Sequence, residues 1–362
     1  MEAESEQYVI DLSSDNVIGV CSEIMEALCQ ANKGSASPYG NDMITASLDK
    51  AFAEVFETPV RVFPVGTGTI ANALALAQIT RPWSSIYCHE LAHIERAECG
   101  APEHASGGCK LSLVAGQHAK VSAVALSEKM RSSRDNIRNR VNVTPAAVSV
   151  SQATERGTIY TQDELYAIHH LCLNADLRFH MDGARFANAV AALGCSPAKI
   201  TWQSGIDVLS FGATKNGAMG AEAVIFFRPH LADLFEYRCK RAGQTFSKMR
   251  FVSAQLLAYM KDDLWVRNAT HANKMARLLA DGLCKTPDVV LVHPQEVNEL
   301  FLSMPSRAID ALKKERIGFS RPDPDDPRLI RLVTACDSEP EMMHKVAQIV
   351  SSAIERREGA RG

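Results

Sequence analysis

The chain has 362 residues, 46% hydrophobic and 22% charged, enough for one large buried core and a second, smaller domain. A net charge of −3 gives no electrostatic footprint for nucleic acid or anionic membranes. Ten cysteines without a CxxC pair, an acidic start (MEAESEQYVI) and no apolar run near the ~20 residues of a membrane span argue against a zinc ribbon, a signal peptide and a membrane protein, and point to the cytoplasm.

Residues 1–8 read as a loose leader. The polar, turn-forming DLSSDNVIGV follows, then a helical pattern through Ile24, Ala27 and Leu28. SPYGNDMITASLDKAFAEVF predicts a polar turn at Tyr39-Gly40 and one helix with Ile44, Leu48, Ala51, Phe52 and Val55 on its apolar face. In VRVFPVGTGTIANALALAQI a β-rich run ends in Gly66-Thr67-Gly68-Thr69 and an Ala/Leu helix begins at once. Such a turn offers unpaired backbone N–H groups and the positive end of the helix dipole to an anion. Gly68 allows close backbone approach, and the Thr69 hydroxyl can donate to a phosphate oxygen. There is no GK[ST], which argues against a nucleoside triphosphate.

SSIYCHELAHIERAECG contains His89-Glu90-Leu91-Ala92-His93, the HExxH pattern of zinc peptidases, in which two histidines bind zinc and the glutamate is the base. The extended form fails, with Arg96 and Cys99 where a glycine and a third histidine belong. The run also enters directly from a strand at Ile86-Tyr87, whereas a zinc peptidase needs it inside a long helix. A loop, a strand at Lys110–Val114 and a polar helix rich in Arg and Ser carry no motif. VTPAAVSVSQATERGTIYTQDELYAIHHLC then predicts a strand, a loop at 153–157 holding Glu155, and a helix capped by Thr161 with Glu164 three residues on. Strand-end loops are where α/β folds place chemistry.

The centre of the chain is RFHMDGARFANAVAALG followed by DVLSFGATKNGAMGAEAVIFF. It reads as a strand ending in Asp182, an Asp-Gly turn, a helix, a second strand and a Gly-rich loop with Lys215. Taken singly, the turn is only a turn and the lysine a solvated charge. Together they deliver an acid and an amine from adjacent strand ends. That is the layout of a pyridoxal phosphate site, where the lysine holds the cofactor aldehyde and the carboxylate keeps the pyridine nitrogen protonated. Arg185 begins the intervening helix, where a cation is unfavourable for the dipole, which favours an anionic partner. The later basic cluster, Arg238, Lys240, Arg241, Lys248 and Arg250, reads as a solvated face. From about 258 the pattern is helix, strand at 289–293, strand at Glu299–Ser303, helix, strand at Leu329–Val333 with Arg331 in IRLVT, and a last helix from Glu339.

HMDGARFANA and SFGATKNG resemble the aspartate and lysine segments of the threonine aldolases, and the resemblance covers nearly the whole chain. It implies an α/β fold of the PLP-dependent transferase type (fold type I). The large domain, residues 1–257, would carry a mixed, mostly parallel sheet, and residues 258–362 a small α+β domain. The resemblance assigns Lys215 and Asp182 to the cofactor ring, Gly68, Thr69 and Thr214 to its phosphate, and His93 to stacking on the ring. It assigns Arg185 to the substrate carboxylate or the cofactor, Ser14 and Arg331 to the carboxylate, and the turn before Asp42 to the site. Many relatives carry a histidine where this chain has Glu155, so the general base is open between His93 and Glu155. Ile70 stands where the family often has glutamine or asparagine. Lys248 and Arg250 are weaker phosphate candidates, since the matching segment crosses to a neighbouring subunit.

The implied reaction is retro-aldol cleavage of an L-β-hydroxy-α-amino acid, of the L-threonine, L-allo-threonine or phenylserine type, to glycine and an aldehyde. The implied assembly is a homotetramer without nucleic-acid or membrane partners. Another PLP reaction, β-elimination or transamination, is the nearest alternative. A zinc peptidase built on His89, Glu90 and His93 is a distant one, and a non-catalytic assembly protein on the same fold is a third.

Overall fold

A computed structural model describes residues 8–138 and 141–355. Most of the expected leader lies outside the described residues. Twelve strands occur among them: β1 (Ile10–Asp11), β2 (Arg61–Val65), β3 (Ser84–His89), β4 (Lys110–Val114), β5 (Thr144–Ser151), β6 (Arg178–Gly183), β7 (Val208–Gly212), β8 (Glu222–Phe226), β9 (Val290–Leu291), β10 (Glu299–Ser303), β11 (Ile317–Gly318) and β12 (Leu329–Val333). The chain divides into two compact units, one of residues 20–155 and 159–266, the other of the described residues up to Gly19, 156–158 and from Arg267 onward.

The larger unit holds a seven-stranded sheet in the order β2-β8-β7-β6-β5-β3-β4. The five strands from β7 to β4 run parallel, while β8 is antiparallel to both its neighbours. β5 to β8 are mostly buried, and β7 and β8 read as near-continuous apolar runs, as strands covered on both faces do. The helix Gly68–Ile79 is equally enclosed, with every residue from Ala71 to Ala77 buried. A helix buried all round along its middle has no solvent face there, so packing of Ala71–Ala77 sets where its N-terminus lies. Phe52, Phe56, Phe186, Phe211, Tyr259 and Trp265 form an aromatic cluster of edge and stacked contacts, from 5.5 Å between the Phe52 and Phe211 centroids.

Two glycines explain how the ends of β6 and β7 come together. A Cβ on Gly183 would lie 2.8 Å from the Ser210 carbonyl oxygen, and one on Gly212 would lie 2.8 Å from that of Ala184. Any larger residue would push the Asp182 turn away from the strand that leads to Lys215. The mixed, mostly parallel sheet agrees with the expected fold class.

The smaller unit is built on an antiparallel sheet, β12-β10-β9, and a parallel pair, β1-β11. Leu279, Leu300, Leu302, Ile309, Ile330, Leu332, Val346 and Val350 fill its core. The N-terminal segment joins this unit through β1-β11. The division between the units falls at 266/267, inside the helix Leu264–Leu283. The strand expected at 289–293 shortens to Val290–Leu291. The helix after Tyr39-Gly40 is two helices, Met43–Ala46 and Leu48–Phe56, because Ser47 turns its hydroxyl onto the Ile44 carbonyl at 2.8 Å.

Candidate active site

Asp182 ends β6 and is nearly buried. Its Oδ1 accepts the Ala184 N–H at 3.0 Å, and its Oδ2 accepts the Asn72 amide at 2.9 Å. The same Asn72 nitrogen donates to Glu98 Oε1 at 2.8 Å, and Glu98 Oε1 also lies 2.8 Å from His93 Nδ1. Asn72 and Glu98 are buried, while the His93 side chain is 42% exposed. The hydrogen bond to Glu98 raises the His93 pKa, with the Asp182 charge reinforcing it and burial and the Lys215 charge opposing it. His93, Glu98, Asp182 and Lys215 therefore share one electrostatic environment.

Lys215 follows β7 in the short turn Thr214–Asn216. It is half-buried and forms no ion pair among the described residues. The turn is held by its neighbours. Asn216 donates to the Trp265 carbonyl at 2.8 Å, the Thr214 hydroxyl accepts the Ala221 N–H at 3.2 Å, and Glu222 Oε2 accepts the Ala213 N–H at 3.1 Å. Gly217 closes it with φ 109°, a value only glycine adopts without strain.

Burial pushes the Glu222 carboxyl up to about 7, against the Thr214 hydroxyl and the Lys215 charge. An unfolded glutamate near 4.5 loses its proton first, so between about 4.5 and 7 the folded state binds more protons than the unfolded one. Stability therefore falls as pH rises through this window and stays lower above it. Glu222→Gln is expected to match the parent at pH 4 and to exceed it at pH 8.5 by about 3 kcal/mol in denaturant melts. An offset independent of pH would refute the assignment.

Glu155, in the loop after β5, accepts the Ser151 hydroxyl at 2.5 Å and the His93 backbone N–H at 2.9 Å, both on Oε1. Oε2 is shielded from solvent and has no hydrogen-bond partner among the described residues. Burial pushes this carboxyl up to about 7, opposed by the Ser151 bond and assisted by the Asp182 charge.

The turn at Thr67–Thr69 opens the helix Gly68–Ile79, with Thr67 as its cap, its hydroxyl accepting the Ile70 N–H at 3.3 Å. The Gly68 and Thr69 N–H groups fall in the first turn, where a helix has no internal acceptors. A Cβ on Gly68 would meet nothing within 4 Å, so the backbone of this turn is uncrowded on that side. Gln244 Oε1 accepts the neighbouring Gly66 N–H at 3.0 Å, which pins the loop within the basic cluster beside this turn.

The zinc peptidase reading fails on geometry. His89 lies at the end of β3 and His93 begins a separate four-residue helix, so no single helix carries both. His89 Nδ1 accepts the Leu91 N–H at 3.0 Å, its Nε2 faces the Gly116 carbonyl at 3.1 Å, and Glu90 is exposed. Both His89 nitrogens are consumed by the backbone.

The Beta-eliminating lyase family model matches residues 11–306. A low specificity L-threonine aldolase of Pseudomonas aeruginosa is 45% identical over 304 residues, covering 83% of this chain and 86% of that one. Another from a Pseudomonas species is 43% identical over 315 residues, with 87% and 89% covered. The chain belongs to the threonine aldolase family. The solved structure of a Leishmania major threonine aldolase superimposes with a TM-score of 0.88 at 27% identity, covering 95% of this chain and 99% of the other.

Threonine aldolases are PLP-dependent, and the residues of this aldolase fit that cofactor. A turn of free donors with an uncrowded backbone at Gly68 suits a phosphate, a nearly buried carboxylate suits a pyridine N–H, and Lys215 supplies an amine without an ion pair. Arg185 is the N-cap residue of the helix Phe186–Leu193, three residues beyond Asp182. Ser14 and Arg331 lie in the smaller unit. The Ser14 hydroxyl accepts the Asn16 N–H at 3.1 Å. Arg331 donates to Ser320 at 2.9 Å, to Glu299 at 3.4 Å and to the Ser13 carbonyl at 3.3 Å. Asp42 spends its carboxylate on capping, with both oxygens 2.8 Å from Thr45 donors. Arg250 donates to the Gly34 carbonyl at 3.3 Å, and Lys248 is exposed.

Sequence reasoning missed Asn72, Glu98 and Glu222. Asn72 had a signal, as an amide inside the apolar run IANALALA. Glu98 and Glu222 had none, because only tertiary contact shows that they are buried.

Proposed function

We propose that this aldolase cleaves L-β-hydroxy-α-amino acids with Lys215, Asp182, His93 and Glu155 as its catalytic residues. As a threonine aldolase the protein is a carbon–carbon lyase that forms glycine and an aldehyde by retro-aldol cleavage. Bound pyridoxal phosphate supplies the sink for the electrons of the breaking Cα–Cβ bond. Lys215 would hold its aldehyde, Asp182 its ring nitrogen, Gly68, Thr69 and Thr214 its phosphate, and His93 would face its ring.

Arg331, Arg185 and Ser14 are proposed ligands of the substrate carboxylate, for which a guanidinium suits bidentate pairing. Glu155, which accepts the His93 backbone N–H, would take the β-hydroxyl proton. The observation that carries this reading is the delivery of Asp182 and Lys215 from hydrogen-bonded parallel strands whose charges both act on His93.

L-threonine is the deciding substrate. Equal amounts of glycine and acetaldehyde are expected, and borohydride reduction of the holoenzyme should place a pyridoxyl group on Lys215. Ammonia and a 2-oxo acid in place of the aldehyde would overturn cleavage in favour of elimination. The helices among the described residues include none long and apolar enough to cross a membrane. We further propose a cytoplasmic homotetramer acting on small molecules without nucleic acid, and light scattering of the purified protein at the mass of four chains would bear out the assembly.

A further inference from the structure

We propose that Glu98 is a positioning residue for His93, and that Asn72 clamps this pair to Asp182. The inference rests on the aldolase site described above and names two of its working parts. Three elements contribute: the enclosed helix Gly68–Ile79, the segment after the short helix His93–Arg96, and the end of β6.

The orientation of the Asn72 amide follows from its neighbours. An ionised carboxylate only accepts, and the amide NH2 has two hydrogens to give. Turned the other way, its oxygen would face two carboxylates. As placed, Nδ2 reaches Glu98 Oε1 at 2.8 Å and Asp182 Oδ2 at 2.9 Å. A neutral donor between two buried acids reduces the repulsion that would otherwise protonate one of them.

Glu98 Oε1 thereby points at His93 Nδ1, 2.8 Å away, and its side chain is fully buried. A carboxylate at this distance selects the Nδ1–H tautomer and fixes the ring plane, as an acid behind a functional histidine does elsewhere. His93 Nε2 has no hydrogen-bond partner among the described residues and is the nitrogen left to exchange a proton. The charged groups acting on this imidazole are Glu98 and Asp182, which favour its protonation, and Lys215, which opposes it; Glu155 accepts the His93 backbone N–H.

The test is 15N NMR of histidine-labelled full-length protein without cofactor, with His93→Phe to assign the signal. In the parent protein His93 is expected as the Nδ1–H tautomer, titrating above the ordinary 6.5. Glu98→Gln keeps the shape and a hydrogen-bond acceptor but removes the charge. The His93 midpoint should then fall, with the tautomer retained. Glu98→Ala should lose the tautomer preference as well. In the holoenzyme, Glu98→Gln should lower kcat by about 10-fold or more with KM little changed, and its pH–rate profile should move with the NMR midpoint.

A folded Glu98→Gln protein with the parent midpoint and the parent pH–rate profile would overturn the proposal. If Glu98→Ala does not fold, Glu98→Gln decides alone. The NMR readout needs no turnover, so it stands apart from the aldolase reading, which would fall instead if Lys215→Ala retained activity.

Discussion

Lys215→Ala is expected to lower aldehyde release from L-threonine by on the order of 10³-fold or more, while the protein stays folded. The structure separates the two effects. The turn carrying Lys215 is secured by Asn216 on the Trp265 carbonyl, by Thr214 on the Ala221 N–H and by Glu222 on the Ala213 N–H. Lys215 itself contributes no ion pair to it among the described residues. Removing the side chain beyond Cβ takes away this amine and leaves the turn its anchors. The measurement is aldehyde release under single-turnover conditions, with visible absorbance and circular dichroism on the same sample. A well-folded Lys215→Ala protein that keeps a substantial part of the parent rate would end the assignment.

Glu155→Gln is expected to lower kcat/KM by about 10²- to 10⁴-fold above pH 7, the range spanned by general acid–base groups. The parent activity should rise with pH through about 7, because burial holds the Glu155 proton until then and only the carboxylate can accept another. In the Gln variant this limb should vanish. Stability moves the opposite way. The folded carboxyl binds its proton more tightly than the unfolded one, so the parent loses stability as pH rises from about 4.5 through 7, and the variant does not. Activity and stability with opposite slopes over one pH window form a signature that a merely solvated glutamate could not produce. If the variant keeps the rising limb, the base is another group, and His93 is next to test.

Much of the fold was legible because its signals are local. β4, β10 and β12 fall where alternation and apolar runs placed them, and Thr161 and Glu164 form the expected capping box. β1 and β11 were not legible. Two residues carry no periodicity, and each becomes a strand only through the other. The HELAH run shows the same limit from the opposite side. Its spacing satisfied a zinc motif that its flanking residues argued against, and the strand end at His89 and the backbone bonds on its ring removed it.

The sequence by itself determined the pairing of Asp182 with Lys215 and the resemblance that implied the family and its mixed sheet. These depend on residue types at short spacing within one stretch, HMDGAR to GATKNG, flanked by apolar strands. The tertiary structure alone decided what surrounds them. Asn72, Glu98 and Asp182 are separated by 26 and 84 positions along the chain, yet one amide joins both carboxylates. The titration of Glu155 and Glu222 near neutrality likewise follows from burial, which no pattern of neighbouring letters records. Local propensity and motif chemistry are written along the chain. Desolvation and hydrogen-bond partnership are properties of a packed volume and exist only once it has formed.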